Sequence, residues 1–150
     1  MRPAWHVAVG VGLGAAAYQM TSDWRMAASF TAAEVLVDLD HALEHMCRSD
    51  RPFCLKTFFG KRNSLDWPKM VFILHAYEWV ILLTISSVYF SRPVLGAAAL
   101  GLAVHLLLDE IGNRRFIARG YFAPGFYFFS YRLYRGFLVR NLIREAGGKE

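Results

Sequence analysis

Apolar residues run along this chain in four long stretches. Charged residues gather between the stretches or at their ends. The first stretch covers residues 3–20 and carries no formal charge. The second covers 25–46, follows the helix-start residues Thr21, Ser22 and Asp23, and turns acidic in its second half. The third covers 69–90 and the fourth 93–111, opened by Pro93, where a missing N–H does no harm. Each is long enough, as a helix, to approach or cross a hydrocarbon layer of about 30 Å. The pattern predicts an all-α fold: an integral membrane bundle of four transmembrane helices. Gly10 and Gly14, with Ala17 nearby, form a stripe on the first helix that would let a neighbour approach closely.

Beyond residue 111 the pattern changes. Residues 120–130 form an apolar run interrupted by Pro124 and too short to span. From Tyr131 to Ile143, arginines alternate with tyrosine, phenylalanine and leucine, as in a helix lying at a membrane surface. The expected organisation is therefore a transmembrane unit over 1–111 and an interfacial or cytoplasmic, aromatic and basic tail over 112–150. Arg2 followed by an apolar stretch imitates a secretion signal. His6 and the glycines at 10, 12 and 14 dilute it, and the segment reads as a retained helix. There is no internal repeat.

Composition agrees with a membrane protein: 55% of the 150 residues are hydrophobic and the mean hydropathy is +0.28. The net charge of +5 suits an anionic lipid surface, and no specific nucleic-acid motif accompanies it. If four segments span, the N-terminus, the 47–69 loop and the tail share one side, which holds 15 of the 17 Lys and Arg residues. The positive-inside rule then places both termini in the cytoplasm. Membrane lipids are the expected partners. Cys47 and Cys54 are too few for a disulfide scaffold. They read as incidental thiols, with a zinc knuckle of His41, His45, Cys47 and Cys54 as a rival that fits no standard spacing.

The chemistry lies in the histidines. All five, His6, His41, His45, His75 and His105, fall in or at the ends of apolar segments, where an ionisable group costs free energy unless it is paired or binds something. Two segments add carboxylates at helical spacing: Asp38-Leu39-Asp40-His41 and His105-Leu-Leu-Leu-Asp109. An antiparallel bundle brings His6, Asp38, Asp40, His41, His75, His105 and Asp109 to one level near the cytoplasmic face. Imidazole with carboxylate suits a divalent metal, zinc before manganese or iron, as one or two ions. Such an ion would activate water against an ester, with Asp40 or Glu78 as general base. The basic rim of Arg48, Arg62, Arg114 and Arg115 would favour an anionic phosphoester, of a lipid or a nucleotide. Glu34 lies deeper and reads as a partner of the ligands or a helix–helix hydrogen bond. A non-catalytic metal or ion protein is the alternative, and Asp38-x-x-His41 also imitates a di-iron motif.

At these residues the chain resembles the YdjM-like inner-membrane metal-dependent hydrolases. That family has an early His, a Pro-Asp-(Ile/Leu)-Asp-His motif ending one helix, a histidine motif opening the next, and a late HxxxD. The corresponding positions are His6, Asp38-Leu39-Asp40-His41, His75 and His105/Asp109, over most of residues 1–111. Val37 stands in place of the proline, and Leu74-His75-Ala76-Tyr77-Glu78 in place of a longer two-histidine motif. The resemblance implies a membrane-embedded hydrolase with these residues as metal ligands.

Overall fold

The structure, a computed structural model, describes residues 3–48, 68–116, 120–123 and 125–145. Helices make its body: α1 (Pro3–Thr21), α2 (Trp24–Leu36), α3 (Leu39–Arg48), α4 (Tyr77–Tyr89) and α5 (Pro93–Phe116). Beyond them lie β1 (Gly120–Phe122), the short helices α6 (Phe129–Tyr134) and α7 (Val139–Leu142), and β2 (Ile143–Glu145). The two strands pair antiparallel, Tyr121 opposite Arg144, and an isolated antiparallel bridge joins Lys69 to Leu138.

Helix α2 is sandwiched between α1 and α5, and α4 packs on α5. Glycines make both α2 contacts close. A Cβ at Gly14 would come within 2.2 Å of Thr31 Oγ1, and one at Gly101 within 2.2 Å of the Phe30 carbonyl. Thr31 donates to the Gly10 carbonyl at 3.0 Å and Ser29 to that of Val94 at 2.9 Å, so hydroxyls tie α2 to each neighbour. The glycine stripe expected on α1 thus meets α2. Asp23 caps α2 by accepting from the Arg25 N–H at 2.9 Å.

Among the described residues, one helix is long and apolar enough to cross a membrane: α5, over Pro93–Asn113, with mean hydropathy 1.8. The second and third apolar stretches differ from single helices. The second divides at Val37–Asp38, where Asp40 N–H bonds Val37 O and His41 N–H bonds Asp38 O in three-residue turns. This break rotates α3, so that Asp40 and Glu44 are buried while Leu39, Leu43 and Met46 stay exposed.

The third stretch becomes helical only at Tyr77. Residues 68–76 run irregularly, with Phe72 in the left-handed region at φ 39°. Their polar backbone is satisfied by buried charged side chains instead of a helix. Glu44 accepts from Val71 N–H at 3.1 Å, and Asp40 Oδ2 accepts from the N–H groups of Leu74 and His75. Arg132 donates to the Phe72, His75 and Phe126 carbonyls at 2.6, 2.9 and 2.7 Å.

The tail reaches the same place. Met70 N–H bonds Phe137 O at 2.9 Å, and Val139 N–H bonds Pro68 O at 3.1 Å. Phe126, Tyr127, Val139 and Leu142 share one apolar core with Val37, Met70, Phe72, Leu102 and Leu106. Residues 120–145 are therefore packed against the helices. Arg132, expected on a surface-lying helix, is fully buried; its Nη1 and Nη2 donate to three carbonyls, while its Nε has no hydrogen-bond partner.

Candidate metal centre

His6, His41, His75 and His105, with Asp38 and Asp109, gather at one end of the bundle. His6 comes from the first turns of α1, Asp38 from the break between α2 and α3, and His41 from the first turn of α3. His75 comes from just before α4, and His105 and Asp109 from adjacent turns of α5. His6, Glu34, His75, His105 and Asp109 are buried; Asp38 and His41 are partly open, their side chains 24% and 34% exposed.

Two sets of three donors result: His6, His105 and Asp109, and Asp38, His41 and His75. Within each set, donor atoms lie within 4.8 Å of one another. The sets touch. His75 Nε2 lies 3.3 Å from His105 Nε2, and Asp109 Oδ2 lies 3.8 Å from each of those nitrogens. Asp109 Oδ1 faces His6 Nε2 at 3.2 Å. Asp38 Oδ1 is 3.9 Å from both His41 Nε2 and His105 Nε2. Two donors on a tetrahedral zinc, each about 2.0–2.1 Å from it, lie about 3.4 Å apart. The His75–His105 separation of 3.3 Å matches that edge, the His6–Asp109 one of 3.2 Å is slightly shorter, and the others named are 3.8–3.9 Å, with all donors of a set inside 4.8 Å. The donors are of the kind that holds a divalent ion, and the two sets offer two adjoining positions that could take one.

The second nitrogen of each buried ring is already occupied. His105 Nδ1 donates to the Glu34 carbonyl at 2.6 Å, and His6 Nδ1 faces the Glu34 carboxylate at 3.0 Å. His75 Nδ1 faces Asp40 Oδ2 at 3.3 Å. Such bonds fix the tautomer and aim of a ligand imidazole. Glu34 thus serves two histidines, one through its side chain and one through its backbone. The His6 and His105 rings stack with centroids 4.0 Å apart, and His41 meets Phe72 and His75 edge-on.

A carbonyl can only accept, so His105 Nδ1 carries the hydrogen and, in the neutral ring, Nε2 presents a lone pair. The same holds for His75 when its Nδ1 donates to Asp40. Two lone pairs then face each other at 3.3 Å, beside two carboxylates. That arrangement favours positive charge between them, as a metal ion or a shared proton; in the other tautomer of His75 the same contact is an N–H···N hydrogen bond to His105.

Two residues expected as general bases do other work. Asp40 Oδ2 already receives two backbone N–H groups and faces the His75 ring, which makes it an orienting carboxylate. Glu78 accepts from Phe129 N–H, Ser130 N–H and Ser130 Oγ at 2.9, 2.8 and 2.7 Å, capping the start of α6. It belongs to neither donor set.

Sequence reasoning missed Arg132. Burial lowers the pKa of its guanidinium to about 10, opposed by the carboxylates of Glu78, Asp40 and Glu44, so it remains charged at neutral pH. The surplus of arginine in an aromatic segment was visible, but not that one arginine would turn inward. The basic loop over 49–67, including Arg51, Cys54 and Arg62, lies outside the described residues, as do the side chains of His45, Cys47, Arg48, Arg114 and Arg115. Comparison of the chain with protein-family models, with curated proteins and with solved structures finds no match in any of the three.

Proposed function

We propose that this protein is a multi-pass membrane protein whose buried histidines and aspartates hold one or two divalent ions, zinc before manganese or iron, and that it hydrolyses an ester, a phosphoester foremost. The observation that carries the reading is the pair of facing nitrogens, His75 Nε2 and His105 Nε2, with their other nitrogens occupied and two carboxylates alongside. When bound, a divalent ion supplies Lewis acidity at neutral pH.

The chain's own residues divide the remaining tasks. Glu34 and Asp40 aim the imidazoles. Asp109 presents one oxygen to His6 and the other to His75 and His105, spanning both donor sets. Asp38 and His41 are the most open members of the cluster, so substrate would enter on their side. With Asp40 engaged by the backbone, Asp38 is the carboxylate we assign as proton acceptor for the attacking water. This openness favours catalysis over a closed structural site.

The membrane reading rests on outward-facing surfaces. Helix α4 carries one charged residue, Glu78 in its first turn, is mainly apolar beyond it, and has no buried residue. Helix α3 is turned inside out, carboxylates inward and Leu39, Leu43 and Met46 outward. Exposed aromatics cluster at both ends of the bundle: Trp5 and Trp79 at the end with the histidines, Tyr18, Trp24, Tyr89 and Phe90 at the other. Such belts mark the two faces of a bilayer. By the charge asymmetry of the sequence, the histidine end and both termini are cytoplasmic.

The test is elemental mass spectrometry of the detergent-purified protein beside an Asp109→Asn variant, both prepared without chelator. The reading predicts one or two equivalents of zinc, manganese or iron, lost in the variant, and hydrolysis of a phosphodiester probe by the loaded protein alone. Absence of metal from both would sink it and leave a proton-sharing network. Stoichiometric metal without hydrolysis of any ester would leave a transport or sensing protein.

A further inference from the structure

Arg132 lies in the tail, at the centre of α6, yet its side chain reaches the segment that carries His75. It is fully buried, with its guanidinium about 5.5 Å from the centroid of Phe126 and about 5.9 Å from that of Phe129. Its Nη1 donates to the His75 carbonyl, and its Nη2 to the Phe72 carbonyl. Residues 72–75 have no helix or sheet of their own to fix them, and Phe72 sits in the left-handed region. Two anchors hold this stretch from opposite sides. Asp40 takes the N–H groups of Leu74 and His75, and Arg132 takes the carbonyls of Phe72 and His75. Glu78, at the start of α4, caps α6 and so fixes the helix from which Arg132 projects.

We propose that Arg132 is a positioning residue of the metal centre: the tail, through this guanidinium, holds the His75 backbone so that the imidazole reaches His105 and Asp109. The inference rests on the metal reading above and extends the centre to a part of the chain that the sequence sets apart from it. A planar fork with several fixed donors is what the geometry requires, since adjacent carbonyls must be reached at once. An apolar residue of similar length leaves them unsatisfied in the interior, and the segment must move to find partners.

The experiment is a double-mutant cycle on zinc affinity, measured by competition with a chromophoric chelator on the full-length protein in detergent. The four proteins are wild type, Arg132→Met, His75→Ala and the double variant. Loss of a group that orients a metal ligand weakens binding by about 10- to 100-fold. Arg132→Met should therefore bind zinc at least about tenfold more weakly than wild type, and its cobalt-substituted form should show a changed visible spectrum as an imidazole leaves. In the His75→Ala background the same substitution should change affinity by less than about twofold, because the ligand through which Arg132 acts is gone. Arg132→Lys, which keeps the charge but not the fork, should fall between wild type and Arg132→Met. It carries the cycle if the Met variant does not fold.

Equal zinc affinity in wild type and both Arg132 variants overturns the proposal. So does an undiminished Arg132 effect in the His75→Ala background, which would mean that Arg132 supports the fold at large. Failure of the wild-type protein itself to bind zinc, manganese or iron overturns the metal reading instead, and is seen before any Arg132 variant is made.

Discussion

Gly10 packs directly against the carboxylate of Glu34: a Cβ at this position would lie 2.6 Å from Glu34 Oε2. Glu34 is fully buried, and its other oxygen faces His6 Nδ1. The close approach of α1 to α2 is therefore also what seats the carboxylate that aims a candidate ligand. Gly10→Ala should push Glu34 aside and lower metal affinity about tenfold, the usual cost of disturbing an orienting group. Gly12, two residues on, has open space where a Cβ would stand. Gly12→Ala should leave affinity unchanged and raise helix stability by up to about 1 kcal/mol. Metal titration and thermal unfolding of the two variants check this, and equal behaviour would refute it.

Gly101 sets the crossing of α5 over α2. An added methyl would meet the Phe30 carbonyl at 2.2 Å, and backbone cannot step aside as a flexible side chain can. Gly101→Ala should destabilise the protein by about 1–3 kcal/mol, the range for overpacking a tight contact. Because α5 also carries His105 and Asp109, bound metal should fall with stability. A Tm equal to wild type in detergent would contradict the packing described.

Glu78 distinguishes a cap from a catalyst. Its carboxylate is engaged by the first N–H groups of α6, so Glu78→Ala should cost about 1 kcal/mol of stability, as loss of a cap does. A general base would instead leave its mark on rate. The acidic limb of the pH–rate profile of any hydrolysis this protein performs should keep its position in Glu78→Ala. Disappearance of that limb with Tm unchanged would restore Glu78 to the chemistry.

The exposed leucines of α3 make the membrane reading directly measurable. A spin label on Leu43→Cys should collide with oxygen far more than with a water-soluble nickel chelate, the signature of a hydrocarbon environment. A label on Ile85→Cys, exposed on α4, should behave the same way in liposomes. Preference for the nickel chelate at both sites would place these faces in water and remove the bilayer from the proposal.

What the sequence made legible was local. The four-residue spacing of His105 and Asp109 puts them on one face of α5, and antiparallel helices bring His6, Asp38, His41 and His75 to the same level. What escaped was non-local. Nothing in the period of residues 69–76 says that Asp40 and Glu44 will take their N–H groups and Arg132 their carbonyls. A hydrophobic run there reads as the first turns of a helix. Asp40 illustrates the limit: its place beside the ligands follows from spacing, but its commitment to Leu74 and His75 depends on a segment 34 residues away.

The irregular stretch at 68–76 also orders events in time. A nascent chain that has emerged as far as α5 contains every candidate ligand from His6 to Asp109, but not yet the guanidinium at position 132 that grips Phe72 and His75. Until α6 has been made and docked, those residues lack half their anchors. On the proposed reading, the centre would be completed only after translation has passed its last ligand by more than twenty residues. Metal capture would then be a late step of biogenesis, and truncated chains would be kept from holding an ion in the finished geometry.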